Sequence, residues 1–214
     1  MINFKEIEQC SLEWHQIKWG KIGGTLSKGL FVNSDTLFLD ILSQQLEEFE
    51  PSESFTSDAM QHGKDNEPFA RAYLNEYTGL EFKETGWLEC DENTLLGISP
   101  DGITEDEKTA CEIKCFGRKK HIEVLFKNDI PLENIFQCIH YFTVNPKLEK
   151  LYFIAFRAES AKHFIKELTL DTEINIGTKS RPRIMSIEAA RDYSLEKAEE
   201  LENKLKKFKN QLEF

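Results

Sequence analysis

Two carboxylates and a lysine fall within one stretch of the chain, Gly97 to Cys115, GISPDGITEDEKTACEIKC. It reads as two short strands joined by an acidic turn. The first ends in Ser99-Pro100-Asp101-Gly102, and the second carries Glu112-Ile113-Lys114. Side chains alternate faces along a strand, so Glu112 and Lys114 share one face while Cys111, Ile113 and Cys115 share the other. The odd-numbered face is apolar and suits a core. The even-numbered face puts a carboxylate and an ammonium on a segment otherwise fit for burial, which is costly unless the charges are paired or bind a metal. With Asp101 at the end of the neighbouring strand, the set could hold a divalent cation against a phosphodiester. Carboxylates are hard oxygen ligands. The cation would acidify its water and neutralise charge on phosphorus, and the lysine would position that water or stabilise the developing charge. E-x-K alone also describes a solvated face of an antiparallel sheet, and SPDG alone an ordinary turn. The combination of PDG with a following E-x-K, flanked by apolar residues, favours the metal site.

These residues need a scaffold, and the rest of the chain supplies one. Residues 11–19 form a helix that Ser11 can cap, with Leu12, Trp14 and Ile17 near one another. It runs into a Gly-rich turn (Gly20, Gly23, Gly24) beside Lys18, Lys21 and Lys28. That turn is either a plain helix breaker or a set of exposed N–H groups for a phosphate. A second helix spans 34–50, its stripe of Leu37, Phe38, Ile41, Leu42, Leu46 and Phe49 facing the core, and Pro51 ends it. A third spans 56–78 and closes at Gly79, with Pro68 kinking it or starting a new segment. Phe69, Ala72, Tyr73 and Leu74 turn toward the core. Glu67 is a solvated glutamate, or an additional metal ligand if this helix lies across the two strands. Strands are expected at 81–89, 94–101 and 109–115. The cluster GRKKH follows, where Arg118, Lys119 and Lys120 open a helix against its dipole. Residues 131–144 form a helix with Pro131 at its start, and Gln137 is a polar residue among Ile135, Phe136, Ile139 and Phe142 that by itself reads as facing solvent. Residues 151–156, LYFIAF, suit a strand buried on both faces, and 163–170 an edge strand. Residues 171–186 are turn-rich and basic, and a charged helix runs from 187 to 213 with Ala189, Ala190, Leu195, Ala198, Leu201, Leu205 and Phe208 on its apolar side.

The 214 residues, 40% hydrophobic with 16 Phe, are enough for one domain with a real core. The parts are a helical N-terminal region (1–80), a sheet-and-helix catalytic region (81–170) and a C-terminal loop and helix (171–214). A net charge of -11 and a pI of about 5.1 argue against a protein that coats nucleic acid through bulk charge, though not against a local basic channel. The five cysteines form no C-x-x-C pair, read as reduced thiols, and are too poorly placed for an iron–sulfur cluster. No run approaches a membrane span and the N-terminus is not a signal peptide, so a cytoplasmic location is expected. There is no H-E-x-x-H, G-x-S-x-G or P-loop.

Taken together and in order, the pieces over roughly residues 12–157 resemble the phage lambda-type exonucleases, the YqaJ-like viral recombinase family of restriction-endonuclease-like nucleases with the PD-(D/E)-x-K signature. The resemblance is carried by W-H-Q-I-K-W-G-K-I-G-G-T from Trp14 to Thr25, by Gly63 and Glu67, by S-P-D-G from Ser99 to Gly102, by E-x-K-C from Glu112 to Cys115, and by Gln137. It departs at Lys18, where the lambda-type enzyme has arginine, at Thr25 in place of serine, and at Phe116, where proline often follows. A lysine ammonium cannot make the bidentate fork that a guanidinium makes to phosphate.

The resemblance implies an α/β (α+β) fold, a mixed central sheet flanked by helices. It implies that Asp101 and Glu112 ligate Mg2+ (or Mn2+) with the main-chain carbonyl of Ile113, that Glu67 serves a second ion or outer position, and that Lys114 orients the attacking water. Lys18, Thr25, Ser99 and Gln137 would form the pocket for a 5′-phosphate, with Arg118, Lys119 and Lys120 on the DNA side. The implied activity is 5′-to-3′ digestion of double-stranded DNA ends to mononucleotides, leaving 3′ overhangs, by a ring-like homotrimer that works with a single-strand annealing protein. Rival readings are an endonuclease, nickase or RNA-directed nuclease on the same fold, and a non-catalytic DNA-end-binding module. The complete Asp101, Glu112 and Lys114 set speaks against the second.

Overall fold

The computed structural model describes residues 2–32, 34–51 and 58–212. The apolar run LYFIAF makes an inner strand of a four-stranded sheet. Its order is β4 (Gly102–Ile103), β5 (Thr109–Cys115), β6 (Lys150–Phe156) and β7 (Phe164–Leu168). β5 and β6 are parallel and the other pairs antiparallel, so the sheet is mixed, and β7 is an edge as its alternating pattern predicts. Helices cover both faces. On one lies α3 (Asp58–Thr78), whose Ala70 and Leu74 pack with Phe82, Cys111, Ile113, Ile154 and Phe156. On the other lies α5 (Leu132–Val144), whose Phe136, Ile139 and Phe142 share the main core with Ala110, Phe153 and Ala155. α4 (Arg118–Lys127) and α5 together make the crossover that parallel pairing of β5 and β6 requires. The long α6 (Ile187–Leu212) lies against α5.

A second, three-stranded antiparallel sheet is built from β1 (Ile2–Phe4), β2 (Trp87–Glu89) and β3 (Gly97–Ile98). Between β1 and β2 the chain forms α1 (Leu12–Lys18), capped by Ser11, a 3-10 turn (Ser27–Phe31) and α2 (Thr36–Leu46) before α3. The turn-rich stretch before α6 contains a small hairpin, β8 (Glu173–Asn175) with β9 (Ile184–Ser186).

Several expectations need correction. The predicted strands 81–89 and 94–101 shrink to Trp87–Glu89 and Gly97–Ile98. Ser99 to Asp101 leave the ladder and carry the chain from one sheet to the other, because Pro100 has no N–H to donate. Gly102 pairs with Cys111 in the second sheet, so the SPDG turn joins two sheets instead of ending a strand of one. Helix α3 runs through Pro68 without starting a new segment. Its core face is Ala70 and Leu74, while Phe69, Ala72 and Tyr73 are exposed. The predicted start of this helix at 56 and the last residues of α6 lie outside the described residues. Leu12 of α1, Leu46 of α2, and Ala189 and Phe208 of α6 are exposed as well, so each stripe is narrower than its periodicity suggests.

The fit of β4 against β5 depends on a missing side chain. A Cβ at Gly102 would stand 2.7 Å from Cys111 Sγ and 2.9 Å from Phe82 Cβ. Gly102→Ala is therefore expected to cost about 1–3 kcal/mol through overpacking. A urea series should show a lower midpoint at unchanged slope, and a native-like midpoint would refute this packing.

Candidate active site

The register of β4 on β5 decides where Asp101 goes. Gly102 opposes Cys111 and Ile103 opposes Ala110, so the next position along sets Asp101 opposite Glu112. There the backbone of β4 has already turned away, and the edge of β5 would be bare. The Asp101 side chain fills the gap, its Oδ2 accepting the Ile113 N–H at 2.7 Å. On a strand the N–H and C=O of one residue point to the same side, so the Ile113 carbonyl also faces this open edge. Lys114 and Glu112 share a face, with Lys114 Nζ 2.5 Å from Glu112 Oε1.

Side chains from four distant places hold the turn that presents Asp101. Gln9 Nε2 donates to the Pro100 carbonyl at 3.1 Å. The Trp14 indole donates to Ser99 Oγ at 2.7 Å. Arg71 Nε donates to the Asp101 carbonyl at 2.7 Å. The Tyr141 hydroxyl accepts the Asp101 N–H at 3.3 Å and donates to the Cys111 carbonyl at 3.0 Å. Neither Arg71 nor Tyr141 was singled out in the sequence. A signal existed for Arg71, which sits four residues after Glu67 and so on the same helical face. Tyr141 shows no such mark in an apolar helix.

The electrostatics are those of acids crowded together. Burial pushes the Asp101 carboxyl well above the ordinary range, and the Glu112 charge pushes it further, against the pull of Lys114 and the Ile113 N–H. Burial raises Glu67 too, with Lys114 and Arg71 pulling it back. Burial alone would lower Lys114. The Glu112 and Asp101 carboxylates outweigh it, and its ammonium is held above the usual lysine value. Asp101, Glu112, Lys114 and Glu67 thus share one electrostatic neighbourhood.

This donor set fits a hard cation. Glu112 is 4% exposed, a buried carboxylate whose Oε1 meets the Lys114 ammonium. Asp101 spends one oxygen on Ile113 and keeps the other. Among the described residues no three His, Cys, Asp or Glu side chains form a ready cage. Two carboxylates with a main-chain carbonyl and water suit Mg2+, which keeps several waters.

Lys18 stands in an aromatic box. Its Nζ lies 3.3 Å from the centroid of Trp14 and 5.5 Å from that of Trp87, and burial lowers its pKa to about 8. Because the Trp14 N–H also holds Ser99, one indole carries Lys18 on its face and Ser99 at its N–H edge. Gln137 faces the Gly-rich turn and not open solvent: a Cβ at Gly24 would lie 3.6 Å from its Cγ and Nε2. His140, lowered to about 4 by burial and so neutral, sits with Nε2 3.2 Å from the Ile22 carbonyl and 2.9 Å from that of Gly97, pinning the turn to β3. Thr25 lies exposed on the same turn. Lys21 is drawn away by an ion pair with the buried Glu89. Arg118 and Lys119 are exposed on the first turn of α4, but Lys120 is tied to Glu133 at 2.9 Å.

The raised carboxyl has a consequence for stability. Folding lifts the Asp101 pKa above its unfolded value of about 4, so the folded state holds the proton more tightly. Its contribution is fully present below the unfolded pKa and is lost as pH rises through the folded one. In EDTA, Asp101→Asn is expected to be more stable than the native protein at pH 8 by about 0.5–2 kcal/mol, the size of typical stabilising changes at strained sites. The gap should shrink toward pH 4. Urea unfolding at both pH values measures it, and a gap that widens on acidification would overturn the assignment.

Comparison with known proteins gives a family and a fold. The family model for the YqaJ-like viral recombinase domain matches residues 13–147. No curated protein matches. Among solved structures, an alkaline exonuclease (LHK-Exo) from Laribacter hongkongensis aligns with a TM-score of 0.72 at 20% identity, covering 94% of this chain and 98% of that one. LHK-Exo in complex with dAMP aligns with the same TM-score of 0.72 at 21% identity, again over 94% and 98%. That likeness establishes a shared fold. The family match takes in Trp14, Glu67, the Ser99–Gly102 turn, Glu112 to Cys115 and Gln137, and extends over more than half of the chain: the chain belongs to the YqaJ-like viral recombinase family.

Proposed function

We propose that the protein is a metal-dependent double-strand DNA exonuclease working 5′ to 3′, releasing 5′-mononucleotides and leaving 3′ overhangs for strand annealing. The observation that carries this reading is the meeting of Asp101, Glu112 and Lys114 at the open edge of β5. Family membership and a shared fold with a protein named an alkaline exonuclease support it.

Asp101, Glu112 and the Ile113 carbonyl would hold Mg2+, with Glu67 toward a second ion. The bound metal would supply positive charge to the phosphoryl oxygens and acidify water. Lys114, kept as an ammonium, donates and does not accept. It orients the attacking water or stabilises a non-bridging oxygen, and the water's proton leaves to solvent. Water adds to the phosphorus between the first and second nucleotides and the bond to the 3′-oxygen breaks. The first nucleotide leaves, and the second keeps the phosphate as a new 5′ end. Lys18, Ser99, Thr25 and Gln137 would hold the terminal 5′-phosphate of the first nucleotide while its 3′ linkage is cut. A homotrimer enclosing the duplex and a single-strand annealing partner complete the proposal, in a cytoplasmic setting. No helix among the described residues is long and apolar enough to cross a membrane.

The test is digestion of a linear, 5′-phosphorylated duplex with Mg2+ beside a closed circle. Lys114→Ala is expected to lower the rate by at least about 100-fold, the scale of losing one transition-state donor, while duplex binding stays within a few-fold. Cleavage unchanged in Lys114→Ala would remove the mechanism, and digestion of the circle would favour an endonuclease or nickase.

A second prediction concerns Lys18. Its ammonium is lost as pH rises through about 8, so the preference for 5′-phosphate over 5′-hydroxyl ends should fall above that pH. Lys18→Arg, whose guanidinium stays charged, should keep the preference to higher pH. Rates on the two ends from pH 7 to 9.5 decide it, and parallel profiles for both proteins would refute the role.

A further inference from the structure

A cleft of about 310 Å3 opens where the main sheet ends, walled by Arg118, His121 and Ile122 of α4 and by Arg157, Glu159 and Ser160 of the loop after β6. β5 and β6 are parallel, with Cys115 level with Phe156. Arg157 therefore stands just past the carboxyl end of β6, and Arg118 just past that of β5. The carboxyl ends of neighbouring parallel strands, next to a helix N-terminus, are where open α/β sheets take ligands.

Two features favour an anion there, the cation-bearing N-terminus of α4 and Arg157 opposite it. The first N–H groups of α4 have no intrahelical acceptor, and its N-cap, Gly117, makes no side-chain cap. The same turn carries Arg118, Lys119 and Lys120, where the helix dipole already disfavours cations. Lys120 is neutralised by Glu133 and Glu123, whereas no carboxylate pairs with Arg118 among the described residues. His121 lines the cleft at 0% exposure. Its Nε2 donates to the Lys162 carbonyl at 2.9 Å, and its Nδ1 is buried with no partner. Arg157 pairs at 3.0 Å with an exposed Glu159, a weak surface contact that a phosphate can displace. The Ser160 hydroxyl is spent on the Lys162 carbonyl at 2.7 Å.

We propose that this cleft is a second phosphate seat, in which Arg118 and Arg157 hold a backbone phosphodiester of the DNA strand whose reacting linkage lies at Asp101 and Glu112. Glu112 pairs in register with Phe153, so Arg157 lies four residues further along the sheet, roughly 13 Å at 3.3 Å per residue, about two nucleotides. A nucleotide chain spans that separation readily. Next to the cleft, Tyr73, 39% exposed, meets His163 edge-on at 4.6 Å between centroids, and His163 is 6.1 Å from His121. Aromatic surface beside a basic cleft is the combination that unpaired strands use. The identity of the ligand rests on the nuclease reading, but its chemistry does not.

The experiment uses the full chain in EDTA, where cleavage does not follow binding, and measures affinity for a linear duplex across a salt series. Arg118→Gln and Arg157→Gln are each expected to weaken binding several-fold and to lower the slope of log affinity against log salt by about one counterion. Glu159→Gln, which frees Arg157, should tighten it. Slopes unchanged in both arginine variants, with native thermal midpoints, overturn the proposal. Arg118 is exposed and unpaired, so its variant keeps the test valid if Arg157→Gln fails to fold. Inorganic phosphate is the second probe. If it protects the native protein but not the arginine variants while duplex slopes stay fixed, the seat takes free phosphate and the strand assignment fails. If the slopes fall as expected but the Mg2+-loaded protein leaves DNA ends intact, the seat stands and the nuclease reading falls.

Discussion

The hydrogen bond from the Ile113 N–H to Asp101 Oδ2 is the contact on which the rest of the site depends. An edge strand normally has its outward N–H and C=O groups met by another strand or by water. Here the neighbouring strand β4 is two residues long. Where it stops, a carboxylate takes its place, satisfying one backbone donor and standing beside the Ile113 carbonyl and the buried Glu112. A longer β4 would cover the site. With no β4, Asp101 would have no reason to be there. The abrupt end of β4 follows from Pro100, and the tight approach of the remaining pair from Gly102.

Such a turn has no regular backbone ladder of its own, and its polar groups need other partners. Gln9, Trp14, Arg71 and Tyr141 supply them, from the N-terminal segment, α1, α3 and α5 in turn. Elements on both faces of the sheet therefore converge on three residues. The acidic crowding that results is unfavourable to an isolated fold, since like charges and burial both oppose ionisation. Violations of local stability rules gather where function is, and here the burial of Phe153, Ile154, Phe142 and Ile139 on the adjoining strands and helix offsets them.

How much of this could be read from the chain depended on how local each cause is. The inner strand β6, the edge strand β7 and the helix α5 follow from runs and alternation of apolar residues, which are local. The trio Asp101, Glu112 and Lys114 was legible because residue type and strand alternation alone put charge where a core was expected. The limits of β2 and β3 were only partly legible. Pro100 marks where β3 must stop, but the turn that follows is held by side chains from residues 9, 14, 71 and 141, none of them near in sequence. In α3 the aromatic residues Phe69 and Tyr73 looked like core. The sheet instead accepts only the small Ala70 beside Leu74 at close approach, and turns the rings outward. Gln137 in an apolar helix could equally have faced water. Its meaning appears only when the backbone of Gly24 is laid against it.

The charge distribution explains how a chain of net charge -11 can be reconciled with a polyanionic substrate. Several of its lysines are paired with carboxylates: Lys21 with the buried Glu89, and at the surface Lys108 with Glu149, Lys120 with Glu133, Lys166 with Asp129. Each such lysine has a negative neighbour that offsets its charge toward a phosphate. What remains near the site is sparse and individually placed, Lys18 between two indoles and Arg118 at the head of α4. A surface of this kind gives little of the sequence-independent attraction that basic proteins gain from counterion release along duplex interiors. Contact is rewarded only where a phosphate can reach the few cations and the acidic centre together. On the proposed reading, that condition is met at an end, where the strand can separate from its complement and enter, and not along an intact duplex. End selectivity then needs no recognition of sequence, only a scarcity of positive charge everywhere else.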